Sequence, residues 1–239
     1  MIPPLTELNE YLYEKISDMY KQIKLVSETI KKKIPHPEIY HSMLEKLRAV
    51  EAGLKEFRKL MSFLYEKATI DSVTQLKSRT CLDDYLLTLE SVSNLAFIIG
   101  DVDKFGDYNK EYGHHQGDIA LRYIAQQFKE TIEACVAEDE VSFVARYGGE
   151  EFCAFIKYYQ RDLSALESIA EEVRRSIENL EIPSIPGATY KDENYKHRTI
   201  TIAAGIRKNH EPIETFMREV SNLLTKKVTE GRNKVYLRR

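Results

Sequence analysis

The chain has 239 residues, of which 43% are hydrophobic, which is enough for one well-buried core and a smaller helical module. Its 35 basic and 38 acidic residues leave a net charge of −3, which argues against a protein drawn as a whole to nucleic acid or to an anionic membrane. Three cysteines without a Cys-x-x-Cys pair, no signal-peptide pattern and no run near the roughly 18 apolar residues of a membrane span predict a reduced, soluble, cytoplasmic protein.

Two amphipathic helices are predicted at the N-terminal end. Apolar residues recur at spacings of three and four from Leu5 to Ile30, and the pattern ends at three lysines followed by Pro35 and Pro37, which cannot continue a helix. The second helix carries a nearly regular heptad seam of apolar residues, which are Met43, Leu47, Val50, Leu54, Phe57, Met61 and Leu64. Two helices joined by a short turn form an antiparallel helical hairpin.

The role of this helical hairpin is open between two alternatives. It is either a self-contained cap on the rest of the chain or a coiled-coil module that dimerises into a four-helix bundle. Each helix has more apolar surface than one partner needs, which favours the dimer. We therefore divide the chain into residues 1–69, a dimerisation and regulatory module, and residues 70–239, a second domain.

A buried central strand is predicted from residue 95, where the chain is almost continuously apolar. Two carboxylates, Asp101 and Asp103, follow at its C-terminal end, which is where open α/β sheets bind their ligands. Because strand side chains alternate, only one of the two can face a given side of the sheet.

A β-hairpin with a glycine pair at its tip is predicted at residues 141–156. Two apolar runs, 141–145 and 152–156, flank the sequence Arg146-Tyr147-Gly148-Gly149-Glu150-Glu151. Glycine reaches positive φ without steric cost, so a Gly-Gly pair between such runs is typical of a hairpin. The missing side chains let a ligand lie against the backbone and the carboxylates can hold a hard cation, which suits a metal-bound phosphate. The alternative is a solvated acidic turn.

The remaining elements are predicted from periodicity and from the positions of glycine and proline. Helices are expected at about 79–91, 114–132, 163–180 and 213–229. Strands are expected at 199–206 and 234–237, with an irregular polar segment at 183–194.

Five short motifs follow one another along the second domain. They are Asp71-x-Val73-Thr74-x-Leu76-x-x-Arg79, Asp101-x-Asp103, Phe105-x-x-x-Asn109-x-x-x-Gly113-His114-x-x-Gly117-Asp118, Arg146-Tyr147-Gly148-Gly149-Glu150-Glu151-Phe152 and Gly231-Arg232-Asn233. Together they closely resemble the GGDEF family of diguanylate cyclases, over about residue 70 to the C-terminus. The opening motif departs from the family at Gln75 and Ser78, where glycine and asparagine are usual.

This resemblance implies a fold. The family domain is α/β (α+β), with a central, mostly antiparallel sheet flanked by helices, similar to the palm of nucleotide cyclases and polymerases. In this chain we expect it to follow the all-α N-terminal helical hairpin.

The resemblance also implies an activity, the condensation of two GTP molecules into cyclic di-GMP, a bacterial second messenger, and two pyrophosphates. Each subunit of a dimer would bind one GTP, and each 3′-hydroxyl would attack the α-phosphate of the other. The expected partners are GTP and a second copy of the chain, bound through the N-terminal helices, with no nucleic acid and no membrane. The expected cofactor is Mg²⁺, two ions per active site, for which Mn²⁺ can substitute.

The residue types at the motifs suit this chemistry. Two magnesium ions that bridge the phosphates of GTP need oxygen ligands from facing elements, and Asp101 and Glu150 supply them. By resemblance, the carbonyl of Val102 is the third protein ligand. Glu150 is also the candidate that helps to deprotonate the 3′-hydroxyl, the glycines allow ribose and α-phosphate to approach, and the second acid orients the hairpin. The expected catalytic residues are Glu150, Gly148, Gly149 and Glu151.

Guanine recognition is expected at the third motif. A carboxylate can accept both adjacent N–H donors of guanine, whereas adenine would leave it unpaired. Asp118 stands at the family position that contacts this edge, with Asn109 beside it, so we expect GTP to be favoured over ATP. The alternatives are local roles, a turn for Asn109 and a helix cap for Asp118. The substrate-binding residues implied in full are Asn109, Asp118, Phe105, Lys104, Arg232 and Lys227.

The chain departs from the family four residues before Arg232, where a basic residue usually helps to hold the phosphates. Val228 stands there, directly after Lys226 and Lys227. Either a register shift restores the contact or the affinity for the triphosphate is weaker.

A second departure concerns the inhibitory product site of the family. That site needs an Arg-x-x-Asp motif, and Asp139 and Ser142 stand at its two required positions, so no product inhibition through it is expected. The departures leave an alternative function, a catalytically silent GGDEF module that binds GTP and acts as a regulatory protein. The intact acid Glu150 favours the enzyme, and Asp118 argues against a cyclase that makes a different dinucleotide.

Overall fold

The computed structural model describes residues 5–33, 37–209 and 211–239. The chain divides into two compact units, Met1–Ala68 and Thr69–Arg239. Within the described ranges, no helix combines the length and the apolar character that crossing a bilayer requires.

The N-terminal unit consists of two long helices, α1 (Leu5–Lys33) and α2 (Pro37–Thr69). The hydroxyl of Tyr13 in α1 bonds that of Ser62, and the hydroxyl of Tyr20 donates to the carbonyl of Glu51. A residue early in α1 thus meets one late in α2, so the two helices run antiparallel. The turn predicted at residues 34–36 lies outside the described residues.

The outer side of this pair carries a stripe of exposed apolar side chains. Leu47, Leu54 and Met61 of the predicted heptad seam are half-buried. The other four positions are 38–49% exposed, and we call them the α2 stripe: Met43, Val50, Phe57 and Leu64. They recur at intervals of seven, so they form one row about 32 Å long on a helix that rises 1.5 Å per residue. Met19 and Val26 of α1, also exposed, have the same spacing.

The second unit is built on one five-stranded sheet. Its strands are β1 (Leu95–Val102), β2 (Val141–Arg146), β3 (Glu151–Lys157), β4 (Ile200–Ile206) and β5 (Val235–Arg238). Their order is β2-β3-β1-β4-β5, with β5 parallel to β4 and the other neighbours antiparallel. The mostly antiparallel sheet, with the buried strand β1 at its centre, confirms the predicted fold.

Helices cover both faces of this sheet. Their bounds are α3 (Arg79–Leu87), α4 (Phe105–Tyr112), α5 (His114–Cys135), α6 (Leu163–Glu178) and α7 (Ile213–Asn222). One core, around Ile98 and Phe128, lies under α4, α5 and α6, and the other, around Phe97 and Phe216, lies under α3 and α7. Successive residues of β1 enter the two cores alternately. Packing on both sides therefore fixes the C-terminal end of β1.

Helix α3 ends at Leu87, four residues before the predicted end. The buried guanidinium of Arg207 donates to the carbonyls of Leu89 (2.7 Å) and Val92 (2.9 Å), which follow the helix. These carbonyls are bound by a side chain from beyond β4 instead of by a further helical turn. A tertiary contact overrides the local helix preference here.

Two further differences lie near the predicted site. Residues 105–112 form the separate helix α4, which the sequence pattern did not indicate. The helix predicted at 213–229 is α-helical only to Asn222 and continues as a 3-10 helix over Leu223–Val228. The Thr225 hydroxyl donates to the carbonyl of Asn222 (2.7 Å), a local bond that competes with the α-helical pattern.

The irregular segment between α6 and β4 forms a loop whose ends meet. The N–H of Ile182 donates to the carbonyl of Lys196 (2.8 Å), which closes residues 183–195 into a compact surface loop. We call it the 183–195 loop. Its only regular structure in the described chain is one 3-10 turn at Asn194–Lys196.

Candidate active site

The candidate site forms where β1 ends beside the tip of the β2–β3 hairpin. Asp101 near the end of β1 is paired with Glu151 at the start of β3. The N–H of Val102 donates to the carbonyl of Glu150 across the same two strands (3.1 Å). The strand register therefore brings three carboxylates to one end of the sheet, and all three residues are half-buried.

The carboxylates at this end of the sheet repel one another. Burial raises the pKa of Glu150, and the Asp101 carboxylate raises it further. Burial and Asp101 likewise raise the pKa of Glu151. The Lys227 amine, which bonds Asp101, acts on both in the opposite direction. Added positive charge would stabilise this site, which is a property of cation-binding sites.

The residues fit a magnesium site that substrate oxygens complete. In the part of the chain that the structure describes, no three His, Cys, Asp or Glu side chains converge closely enough to hold a metal by themselves. Magnesium is usually held by one or two carboxylates together with substrate phosphates and water. Asp101, Glu150 and the carbonyl of Val102 offer such a partial set, so we expect metal and nucleotide to bind together.

Lys227 reaches the site from the 3-10 helix that follows α7. Its side chain is 19% exposed, and its amine is bonded to Asp101. Val228, at the usual basic position of the family, is 75% exposed. The 3-10 geometry thus directs Lys227 toward β1 and leaves Val228 at the surface.

Lack of space explains one glycine of the pair at the hairpin tip, Gly148. Neither Gly148 nor Gly149 has a positive φ, so the conformational reason predicted for the pair is wrong. A Cβ on Gly148 would overlap the Glu151 carboxylate and lie 3.4 Å from its Cδ. A Cβ on Gly149 would meet no other described heavy atom within 4 Å. The tip is therefore open above Gly149.

Arg146 holds this tip and joins it to the opening motif. Its guanidinium donates to the carbonyls of Gly149 (2.6 Å) and Gly148 (3.2 Å), and Nη1 lies 2.9 and 3.0 Å from the two carboxylate oxygens of Asp71. Burial would raise the pKa of Asp71, but hydrogen bonds from Thr74 and the charge of Arg146 lower it. Both partners of this ion pair belong to the motifs above, yet nothing in the spacing of the motifs indicates that they meet.

Asp103 does not join the carboxylate cluster. It is 4% exposed and accepts hydrogen bonds from the hydroxyls of Thr199 (2.8 Å) and Thr201 (2.6 Å) and from the N–H of Asn233 (3.0 Å). The second acid of the Asp-x-Asp strand end is thus structural, since it fixes the closing motif beside β1.

Asn109 lies on α4 against Gly117 of α5. A Cβ on Gly117 would overlap Oδ1 of Asn109 and lie 3.0 Å from its Cγ. That oxygen is buried and has no hydrogen-bond partner among the described residues. A buried amide oxygen without a donor is costly, and the missing side chain at Gly117 is what leaves room for it.

The other predicted substrate-binding residues differ in exposure. Phe105 is buried at the start of α4, beside the Asn109–Gly117 contact. Lys104, Asp118 and Arg232 are exposed, the first at the N-cap of α4, the second in the first turns of α5 and the third in the closing motif. Lys104, Asp118 and Arg232 are therefore accessible to a ligand, and Phe105 is not.

Comparison with known proteins finds relatives for most of the chain. Residues 68–234 match the family described as "Diguanylate cyclase, GGDEF domain". Diguanylate cyclase A of Treponema denticola is 29% identical over 187 residues, which cover 74% of this chain and 46% of that protein. Diguanylate cyclase VdcA of Vibrio cholerae is 29% identical over 206 residues, which cover 83% and 56%. The chain thus spans about half the length of the curated relatives it matches.

Solved structures share the fold. The coiled coil and GGDEF domain of DgcB from Caulobacter crescentus, in complex with c-di-GMP, matches with a TM-score of 0.69 at 24% identity, over 82% of this chain and 100% of that one. A structure of the GGDEF domain of the same protein matches with a TM-score of 0.58 at 27% identity, over 71% and 93%.

Proposed function

The chain belongs to the diguanylate cyclase GGDEF domain family, and we propose that it is an active diguanylate cyclase, which condenses two GTP into cyclic di-GMP and two pyrophosphates. The observation that carries the proposal is the meeting of Asp101 and Glu150 at the open tip of the hairpin. These are the two acids that a metal-assisted transfer between nucleotides requires on facing elements.

Each residue of the cluster has a proposed role. Asp101, Glu150 and the Val102 carbonyl would hold two Mg²⁺ ions, which supply the charge that stabilises the transfer. Glu150 accepts the proton of the 3′-hydroxyl as the new bond from that oxygen to the other α-phosphate forms and pyrophosphate leaves. Lys227 leaves Asp101 and binds the triphosphate, and the open surface at Gly149 receives the ribose and α-phosphate.

Guanine is proposed to bind between Asn109 and Asp118. The Asn109 amide can form a hydrogen bond with the base, and the exposed carboxylate of Asp118 can accept two. Guanine supplies adjacent N–H donors on one edge, whereas adenine would leave acceptors unpaired, so GTP is favoured.

The Gly117→Ala variant is expected to bind GDP about tenfold more weakly. The new Cβ would displace the Asn109 amide, and overpacking of this kind typically costs about 1–3 kcal/mol. Helix propensity alone predicts a gain in stability, since alanine is favoured over glycine by about 1 kcal/mol in a helix. Calorimetric titration with GDP and Mg²⁺ measures the affinity.

Gly106→Ala is the matched control for this variant. Gly106 also lies in a helix, and a Cβ there would meet no other described heavy atom within 4 Å. It is expected to keep the affinity for GDP. Equal affinities for both variants would contradict a role of the Asn109–Gly117 contact in nucleotide binding.

The proposed reaction needs two subunits, because each GTP supplies the attacking hydroxyl for the other. We propose that a second copy covers the α2 stripe, so that four helices pack together and set the distance between the two sites. The apolar residues of the stripe and their spacing of seven support this pairing.

Cyclic di-GMP is not expected to inhibit the reaction by binding near the start of β2. Asp139 and Ser142 replace the required arginine and aspartate. The nearby guanidinium of Arg161 is already bonded to the buried Glu140 carboxylate, at 2.7 and 3.1 Å. Initial rates with and without added product are expected to be equal, and calorimetric binding of the product that Asp139→Ala removes would contradict this.

The proposed function is tested by incubating the purified chain with GTP and Mg²⁺ and identifying the product by mass. Cyclic di-GMP is expected from GTP, without a mixed dinucleotide when ATP is added. No product, at concentrations where the chain is dimeric and binds GTP, would contradict the proposal and indicate a nucleotide-binding regulator.

A further inference from the structure

The 183–195 loop is bound to α4 and α5 through one buried side chain, Gln116. This residue is fully buried, and its amide makes four hydrogen bonds. Nε2 donates to the Pro183 carbonyl (2.9 Å) and to the Tyr108 hydroxyl (3.1 Å), while Oε1 accepts from the Ile185 N–H (3.1 Å) and the Tyr190 hydroxyl (3.0 Å). We call Gln116 and these four partners the Gln116 network.

The orientation of this amide is unambiguous. A backbone N–H can only donate and a backbone carbonyl can only accept, so Ile185 and Pro183 identify the oxygen and the nitrogen of Gln116. Both donors and both acceptor sites of the amide are used. A buried polar network that is fully satisfied specifies one arrangement of the elements that it joins.

Aromatic contacts extend the attachment of the loop along α4. The Tyr108 hydroxyl donates to the Tyr195 carbonyl (2.9 Å), and the Tyr112 hydroxyl donates to Asp192 (2.9 Å). The Tyr112 ring lies 5.4 Å from the ring of Tyr190 and 6.3 Å from that of Tyr195, centroid to centroid. The loop is thus attached at the middle and the C-terminal end of α4 and at the start of α5.

The residues that make these bonds adjoin the proposed guanine site in sequence. Tyr108 precedes Asn109 on α4, and Gln116 precedes Gly117 and Asp118 on α5. The Gln116–Tyr108 bond therefore joins the two helices directly beside the Asn109–Gly117 contact. A displacement of either helix would change the distance between the Asn109 amide and the Asp118 carboxylate.

We infer that Gln116 is a positioning residue for the recognition of guanine. By binding the 183–195 loop, Gln116 fixes α4 and α5 so that Asn109 and Asp118 stay at the spacing that guanine requires. The inference rests on the proposed function, because it concerns the recognition of the base of GTP. It adds a role for the loop and for a residue that does not itself touch the nucleotide.

The test compares GDP with IDP, the inosine nucleotide, which lacks the 2-amino donor of guanine. Calorimetry with Mg²⁺ is expected to show that the wild-type chain prefers GDP. Gln116→Leu keeps the size of the side chain but removes all four hydrogen bonds. It is expected to lower the preference for GDP over IDP by on the order of tenfold, mainly by weakening the binding of GDP. A residue that only stabilises the fold would leave the ratio of the two affinities unchanged.

Three further measurements make the test specific. Gln126→Leu alters a glutamine on the same helix that bonds only Glu130 in the described contacts, and it is expected to keep the wild-type ratio. Tyr190→Phe removes one bond of the Gln116 network, so it keeps the test usable if Gln116→Leu does not fold, and it is expected to lower the ratio less. Hydrogen exchange of the backbone amides within residues 183–195 is expected to become faster in Gln116→Leu and in Tyr190→Phe but not in Gln126→Leu.

Two results would overturn the inference, and they are distinguishable. In the first, variants with faster amide exchange in the 183–195 loop keep the wild-type ratio of GDP to IDP affinity. The loop would then not position the base contacts, and the proposed function would stand. Equal affinity of the wild-type chain for GDP and IDP would remove the base recognition itself, and with it both the inference and that part of the proposed function.

Discussion

Replacing Glu150 with glutamine is expected to lower the initial rate of cyclic di-GMP synthesis by on the order of a thousandfold or more. Glutamine keeps the size of the side chain but removes the charge that is proposed to bind metal and to accept the 3′-hydroxyl proton. Product is measured by mass over time at saturating GTP and Mg²⁺. Binding of GDP is expected to change less than the rate, because the proposed base contacts of Asn109 and Asp118, on α4 and α5, do not involve Glu150.

The same substitution is expected to leave the metal-free chain as stable as before, or more stable. Burial and Asp101 raise the pKa of Glu150, so the folded state binds its proton more readily than the unfolded state does. The contribution of this group to stability therefore falls as the pH rises above the ordinary carboxyl pKa of about 4.3. Glutamine removes this penalty, and the melting temperature at pH 7 without metal measures the effect.

Glu167→Gln is the matched control for both measurements. Glu167 is an exposed carboxylate on α6, so its variant is expected to keep the wild-type rate and melting temperature. A Glu150→Gln variant that retains full activity would contradict the role of this acid. A variant whose lost activity accompanies a lower melting temperature would indicate damage to the fold instead.

The central strand and the hairpin could be predicted from the sequence because local patterns determine them. Residues 95–102 are almost continuously apolar, and so short an apolar run favours a buried strand over a helix. The runs on either side of Gly148 and Gly149 specify two paired strands, and their ends place Glu150 beside Asp101. The positions of the cluster acids follow from the register of three strands.

The parts that the sequence did not indicate depend on contacts between distant residues. Arg207 ends α3 by binding carbonyls more than a hundred residues earlier in the chain. Asp71 pairs with Arg146, and Gln116 binds Pro183 of the 183–195 loop, across 75 and 67 residues. The 3-10 helix that brings Lys227 to Asp101 was missed because its residues also suit an α-helix. Periodicity describes one segment at a time, so it contains no information on such pairings.

Placing a charge in the α2 stripe is expected to remove most of the synthesis by separating the subunits. Phe57 is 45% exposed in the single chain and lies between Val50 and Leu64 in the stripe. In a four-helix bundle its ring would be buried, and glutamate there would leave one unpaired charge per subunit at the interface. A buried unpaired charge costs about 3 kcal/mol or more, which weakens a dimer roughly a hundredfold. Specific activity over a dilution series, beside mass measurement by light scattering, shows the loss.

Ala52→Glu separates this effect from the simple addition of a charge. Ala52 is exposed on the same helix, and a separation of five residues places it roughly on the opposite side from Phe57. This control is expected to remain dimeric and active, while monomeric Phe57→Glu is expected to bind GDP normally because the proposed nucleotide contacts lie in Thr69–Arg239. If Phe57→Glu stays dimeric or active on dilution, the stripe is not the dimer surface. The helical hairpin would then be the cap on its own chain that the sequence left as the alternative, and the two sites would have to meet through the catalytic domains themselves.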